Sequence, residues 1–378
     1  MKRIFISTCM LLAFVVAGLN TASAEELSLL TWKGYAPKVL VDKFKQETGI
    51  DVNVTYTNNE EMIAKLRATR GAGFDLAQPS QDRISSVQEE YQIYQPIDFS
   101  KINTAQVVPS MLAAVKKNTL VGGKSYAVPF CWGTEGMIVN KKHAAGVQSY
   151  SDLLNAKYKG RVSYRLKRPT LIAFAFAMGE DPFSKYNDPK AYKAMMDKVG
   201  KAMMEGKPLV KSYWTNGDAL LQSMRSEEVY IAMGWDNGGW KLHGENPDID
   251  FIAPVTGALG WIDTFALPAK AKNVDAAYKW INFMLRPENA AVFTDLEKTP
   301  TASAGSMKLT SAEVRGNFER SFPQKAIDNI KWYPPVRLPG GVMLSIRRKR
   351  CVVHLHDNTP LPHEPTNRGS LCRSIYRF

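Results

Sequence analysis

The sequence predicts an α/β protein of two lobes hinged as a clamshell, and three observations carry that expectation. Apolar or alternating segments at 27–32, 50–56 and 74–77 are separated by amphipathic helical stretches, the rhythm of a largely parallel sheet flanked by helices. The same rhythm restarts at 161–164 and runs to 249–253, so a second sheet follows the first. Two further segments, 126–133 and 260–268, pass between the halves, and a hinge between lobes needs more than one crossing. A chain of 378 residues has room for two such domains and a large core.

Residues 27–32 form the first strand. Pro37 suits the first turn of the helix that follows, which presents Val39, Leu40 and Phe44 and stops at Gly49. Ile50, Val52, Val54 and Tyr56 alternate with polar residues, as in a half-buried strand. Asn58 or Asn59 caps a helix with Met62, Ile63 and Leu66 on one face. The strand 74–77 runs into a Pro79-Ser80 turn. In open α/β sheets ligands lie beyond the carboxyl ends of the strands; Trp32 and Ser80 stand at two such ends, with Tyr35 just past the first. A connecting helix is expected over 100–117, and the strand 126–130 leaves the first lobe through Cys131-Trp132-Gly133.

The second half reads as a strand at 161–164, an apolar helix at 171–178, a Met-rich amphipathic helix at 191–204 and a strand at 229–235 ending in Trp235-Asp236-Asn237. A strand at 249–253 comes next. The segment 260–268 leads into a helix at 274–285 with Ala277, Trp280, Ile281 and Met284 inward, and connecting helices fill 306–330. The expected divisions are 1–24 as a signal segment, 25–131 with 262–305 as the first lobe, 132–261 as the second, 306–336 as a helical connection and 337–378 as a basic tail.

Lys2-Arg3, the apolar run 4–19 and Ala22-Ser23-Ala24 have the order of a secretory signal peptide, with cleavage expected after Ala24. The apolar run is short for a membrane anchor, and Cys9 lies inside it rather than at the cleavage point of a lipoprotein. The mature chain then keeps Cys131, Cys351 and Cys372, an odd set without regular spacing and no disulfide framework. Of the formal charge of +13, Lys2 and Arg3 carry 2 and residues 337–378 carry a further 6, which leaves +5 for residues 25–336. So mild a balance gives no reason to expect nucleic acid as a partner.

The chemistry concentrates on Gly260-Trp261-Ile262-Asp263-Thr264-Phe265. On a strand Trp261 and Asp263 share a face. An indole beside a fixed carboxylate is either core packing with a partnered acid or the floor of a site for an ammonium group, which the ring quadrupole and the carboxylate both attract. Trp32, Tyr35, Trp132, Trp235 and Trp261 all sit beside strand ends or crossings, which favours the second reading: a cleft for a small amine-bearing solute.

These features resemble the periplasmic solute-binding proteins of ABC importers, and among them the spermidine/putrescine-binding group. The resemblance spans residues 27–335. It is carried by Leu30-Thr31-Trp32-Lys33-Gly34-Tyr35, Phe44-Lys45-Gln46-Glu47-Thr48-Gly49-Ile50, Phe74-Asp75-Leu76 with Pro79-Ser80, Tyr126 to Gly133, Met233-Gly234-Trp235-Asp236-Asn237, Gly260 to Leu267, and Ile281-Asn282-Phe283-Met284-Leu285-Arg286-Pro287. It implies a type II periplasmic-binding-protein clamshell, no catalysis, no cofactor, a monomer, and delivery of solute to a permease in the inner membrane. By carry-over, Trp32, Tyr35, Ser80, Trp235, Trp261 and Asp263 form the site, the aromatics boxing a methylene chain and Asp263 taking an amino group.

The departures bear on the ligand. Where the polyamine binders carry a second cluster of acids, this chain reads Tyr164-Arg165-Leu166-Lys167-Arg168-Pro169. An acidic position beside the first Trp is Lys33 or Gly34 here, and Lys298 stands for a late cleft aromatic. If Arg165 or Arg168 faces the cleft, a guanidinium opposite Asp263 selects a zwitterion such as the ω-amino acid 4-aminobutyrate. If the basic run is a solvated loop, Asp236 and Glu135 supply the second negative charge for a polyamine.

The resemblance ends near Pro335, where the family would close with an amphipathic helix. Residues 337–378 show no helical or strand period but hold Arg347-Arg348-Lys349-Arg350 and His354-Leu355-His356-Asp357. A basic arm for anionic surfaces and a metal site are open readings; out-of-frame translation of the final codons is preferred. An alternative frame encoding an amphipathic helix in the DNA supports that preference, and its absence rejects it. The competing class is an exported hydrolase. No Gly-x-Ser-x-Gly or His-Glu-x-x-His occurs, and only His143 and His243 lie outside the tail. A spatial pair of carboxylates remains compatible with the sequence.

Overall fold

A computed structural model describes residues 25–336, and the backbone of two short strands beyond them, 344–347 and 350–355. Residues 1–24, where a signal segment is expected, and the remainder of the tail, with its His356-Asp357 pair, lie outside the described residues. The described chain alternates strand and helix as expected. β1 (Glu26–Thr31) lies between β2 (Asp51–Tyr56) and β3 (Leu76–Ala77), parallel to both, with Leu29 opposite Val54 and Leu76. The helix Lys38–Thr48 buries Leu40 and Phe44 and stops at Gly49, whose φ of 75° is the left-handed turn that glycine adopts without a Cβ clash. Of the two candidate caps it is Asn58 that accepts from the Glu61 N–H at 3.1 Å to start the helix Asn59–Thr69.

The second sheet is built on one long strand, β4 (Val128–Asn140). The sequence shows 126–130 as a strand leaving the lobe. The structure carries the strand on through Trp132 and Gly136 to Asn140, because nearly every side chain on it is buried and each part has a pairing neighbour. Beyond it follow β5 (Val162–Tyr164), β6 (Val210–Tyr213), β7 (Ile231–Trp235), β8 (Ile249–Ile252), β9 (Leu259–Phe265) and β10 (Lys331–Trp332). Their order is β10-β9-β4-β7-β5-β6, with β8 also on β4. β5 runs parallel to β6 and β7, and β9 to β10, while β4 is antiparallel to β7, β8 and β9. A strand that crosses out of one lobe and a strand that crosses back must run in opposite senses, which is the relation of β4 to β9.

The core follows the two lobes. One apolar cluster draws on residues 27–131 and 265–302, with Phe44 packed edge-on to Trp280 at 5.0 Å; another draws on 137–259 and Tyr333. Phe318 of the helix Ala312–Ser321, with Phe322 and Ile330 beyond it, joins Trp240 and Phe251, so this carboxyl-terminal segment packs on the second half. The expected helix over 100–117 is shorter: Pro109 starts a helix Pro109–Asn118 and only single 3-10 turns precede it. In the tail, Leu344–Arg347 and Arg350–Leu355 pair antiparallel, Ile346 opposite Val353, where the sequence showed no strand period. No helix among the described residues is long and apolar enough to cross a membrane.

Candidate ligand-binding site

β9 brings Asp263 to the carboxyl ends of β1 and β3. Asp263 pairs in register with Cys131, and the ladder then shifts so that Thr264 faces Pro129. Pro129 has no N–H to give to the ladder, and the bulge turns the Asp263 side chain toward the first sheet. There Oδ2 accepts from the Tyr35 hydroxyl at 2.6 Å and Oδ1 from the Ser80 hydroxyl at 2.5 Å. Ser80 is itself held by the Asn59 amide, which donates to its Oγ at 2.8 Å and accepts from its N–H at 3.0 Å. Burial pushes the Asp263 carboxyl up to about 7, against the two hydroxyls that favour its charged form. Burial and the Asp263 charge hold the Tyr35 phenol well above its ordinary value, so it stays a donor. Asp263 is 4% exposed and has no cationic partner among the described residues.

Trp261 lies on the same face and covers Gly133 directly across the ladder. A Cβ at Gly133 would sit 2.5 Å from the indole ring and 3.0 Å from Asp236 Oδ1, so glycine is what lets the ring lie against the strand. Gly133→Ala is expected to destabilise the protein by about 1–3 kcal/mol through overpacking and to displace Trp261, checked by thermal unfolding and tryptophan fluorescence. Asp236 is fully committed: it accepts from Thr134 N–H at 2.7 Å, Thr134 Oγ1 at 3.0 Å and Asn237 N–H at 2.7 Å, tying β7 to β4. Burial raises its carboxyl to about 7 even so.

Trp32 donates its indole N–H to the Gln78 carbonyl at 2.9 Å and leans on Tyr35 with ring centres 6.4 Å apart. Trp235 stands edge-on to Trp214 at 5.2 Å under the Arg165 guanidinium at 4.7 Å. Trp132 does not join this group. It lies opposite Ile262, on the face that alternates with Trp261 and Asp263, and packs on Phe318 and Trp332.

The basic run is not a solvated loop. Arg165 is partly buried against Glu135, Trp214 and Trp235. Arg168 begins the helix Arg168–Ala177 and reaches Asp82 of the other lobe while its guanidinium covers the Tyr333 ring at 5.1 Å. Lys167 is half-exposed, 3.3 Å from Glu60. Glu135 is therefore taken by Arg165 and by the Tyr333 hydroxyl at 3.2 Å, which removes it as a free second anion. Lys33 faces solvent on Asp218, and Lys298 pairs with Glu313 at 3.0 Å away from the cleft. Tyr333 is a buried aromatic late in the chain, and Glu297 brings its Oε2 within 2.7 Å of the Cβ position of Gly34, two residues past Trp32. Sequence reading missed Asn59, Asp82, Arg83 and Tyr333; only Asp82 and Arg83 carried a signal, lying just past Ser80 at the end of β3.

Residues 39–314 match the model of the bacterial extracellular solute-binding protein family. The spermidine/putrescine-binding periplasmic protein of Escherichia coli (strain K12) is 32% identical over 324 residues, covering 83% of this chain and 89% of that protein. Among solved structures, the spermidine/putrescine ABC transporter substrate-binding protein PotD of Streptococcus pneumoniae superposes with a TM-score of 0.68 at 23% identity, over 83% of this chain and 94% of that one. The Atu4243-GABA receptor superposes with a TM-score of 0.66 at 18% identity, over 82% and 91%. The last two likenesses speak for the fold, a two-lobed α/β clamshell. The family model and the Escherichia coli relative place the chain in the family of bacterial extracellular solute-binding proteins.

Proposed function

We propose that the protein is the periplasmic substrate-binding component of an ABC importer. It captures a small amine-bearing solute of the polyamine class by closure of two lobes, 25–131 with 262–305 against 132–261, and hands it to a membrane permease. One observation carries the reading: Asp263 is a buried carboxylate oriented by two hydroxyls, flanked by indoles and matched by no cation among the described residues. Trp32, Tyr35, Trp235 and Trp261 would line the aliphatic part of the solute, and the segment 1–24, cleaved after Ala24, supplies export. The spermidine/putrescine-binding and putrescine-binding relatives of Escherichia coli support the polyamine class and speak against an exported hydrolase. Calorimetric titration with spermidine and putrescine tests it. Saturable one-to-one binding without turnover is expected of a monomer; a product, or no heat with any amine, contradicts it. A second reading, the same carrier role for 4-aminobutyrate, is favoured by Arg168, which reaches from the second half of the chain to Asp82, close in sequence to Ser80.

The pH dependence has a definite sign. Asp263 and Asp236 have folded values of about 7, above the roughly 3.9 of an unfolded Asp, so their contribution to stability is present below pH 4 and is lost as pH rises to about 7. An ammonium reverses this for Asp263 because it binds the charged form. The thermal shift produced by a bound amine should therefore be larger at pH 8 than at pH 5; a shift independent of pH would contradict the assignment.

A further inference from the structure

Eight charged side chains meet directly across the line between the two lobes. Lys33 lies 2.5 Å from Asp218, Lys241 2.8 Å from Glu297 and Lys167 3.3 Å from Glu60, while Arg168 reaches Asp82. Three of the four pairs run in one sense, with the acid on the first lobe and the base on the second. The facing surfaces therefore attract as they approach. The pairs fall into two groups, one beside each strand end that serves Asp263. Lys33 stands two residues before Tyr35, and Glu297 brings its Oε2 within 2.7 Å of the Cβ position of Gly34. Asp82 stands two residues past Ser80, and Glu60 follows Asn59, whose amide holds Ser80. A neutral bond accompanies each group. Asn237 Nδ2 donates to Thr299 Oγ1 at 3.1 Å, and the Val336 N–H donates to the Asp82 carbonyl at 3.1 Å.

Exposure ranks the four pairs. Lys33 and Asp218 are 77% and 73% exposed, and a pair so open to water gains little. Lys167–Glu60 and Lys241–Glu297 are partly buried. Arg168 and Asp82 are 14% and 4% exposed, so theirs is the pair that solvent screens least. Burial works to lower the Arg168 guanidinium, but the Asp82 charge outweighs it and holds the group above its ordinary value. Within the first lobe Arg83 lies 3.4 Å from both Asp82 and Glu60 and ties the two acids together. Arg83 stays with them when the lobes part. Opening then does not strand Asp82; it exchanges Arg168 for water.

We infer that these pairs form an ionic latch with Arg168–Asp82 as its buried centre, so that the chain itself favours the closed form and opens as ionic strength rises. This rests on the two-lobed carrier reading and adds to it what holds the lobes together. A solute that binds only the closed form gains apparent affinity in proportion to the fraction already closed, so latch strength and affinity rise together. Salt stabilises separated charges, and opening separates all four pairs. High salt weakens capture by this route even though no group around Asp263 changes.

Small-angle X-ray scattering of the purified protein without added solute tests the latch. Ionic strength is raised from about 0.01 M to about 1 M, over which the Debye length shrinks from about 30 Å to about 3 Å. The radius of gyration of the wild type should increase with salt. Arg168→Gln should show the expanded radius already at the low end, where calorimetry should find spermidine bound at least about threefold more weakly than by the wild type. Lys33→Gln with Lys241→Gln, which changes two side chains outside the Asp263 site, should move the expansion to lower salt. Saturating spermidine should return every form to the compact radius. The wild-type series needs no variant to fold. A wild-type radius that does not change with salt overturns the latch and leaves the amine carrier standing. Expansion with salt that spermidine does not reverse upholds the latch and contradicts the amine carrier.

Discussion

Asp263→Asn is expected to abolish binding of amine solutes while the protein still folds. The amide keeps the shape of the carboxyl and still accepts from Tyr35 or Ser80, but it offers no charge to an ammonium that must leave water. Leaving one partner of a buried charged pair without the other costs about 3–5 kcal/mol, a loss of more than about a hundredfold in affinity. The unliganded variant should be at least as stable as the parent at pH 8, because the native fold already presses this carboxyl toward its neutral form. Calorimetry and thermal unfolding read the two effects separately. Affinity within a few-fold of the parent would remove Asp263 as the anchor.

Arg165→Ala has the largest effect expected on stability. Its guanidinium neutralises Glu135, 3% exposed on the long crossing strand, and packs between two tryptophans. Removal leaves Glu135 with the Tyr333 hydroxyl as its remaining side-chain donor and opens a gap beside Trp214 and Trp235. A loss of about 3–5 kcal/mol follows from stranding a buried carboxylate. Double substitution with Glu135→Gln should recover part of it, since the stranded charge is then gone. Denaturant unfolding of the two single variants and the double measures the coupling; additive losses would show that the pair is not a buried ion pair in solution.

Much of the fold was legible because its signals are local. The alternation at 50–56, Gly49 as helix stop and Asn58 as cap each act within a few residues, and all three stand where the sequence puts them. The extent of β4 was not legible. Gly133, Thr134 and Gly136 read as a break, and only pairing with three neighbours keeps them in a strand. The site divides the same way. Asp263 with Trp261 announces itself by period-two spacing, and Ser80 and Tyr35 by lying past strand ends, and the structure brings Asp263, Ser80 and Tyr35 into hydrogen-bonding contact. Trp132 failed the same test because its face depends on register with Ile262, which residue type does not reveal. The Tyr333–Glu135 and Arg168–Asp82 contacts join segments 86 or more residues apart, and no local pattern encodes those.

A crystal structure of the protein with its bound solute tests the central claim most directly. The account predicts an ammonium nitrogen within hydrogen-bonding distance of the Asp263 carboxylate, about 2.7–3.2 Å, with its methylene chain against Trp261 and Tyr35. A solute seated elsewhere, with Asp263 contacting only Tyr35 and Ser80, would contradict it.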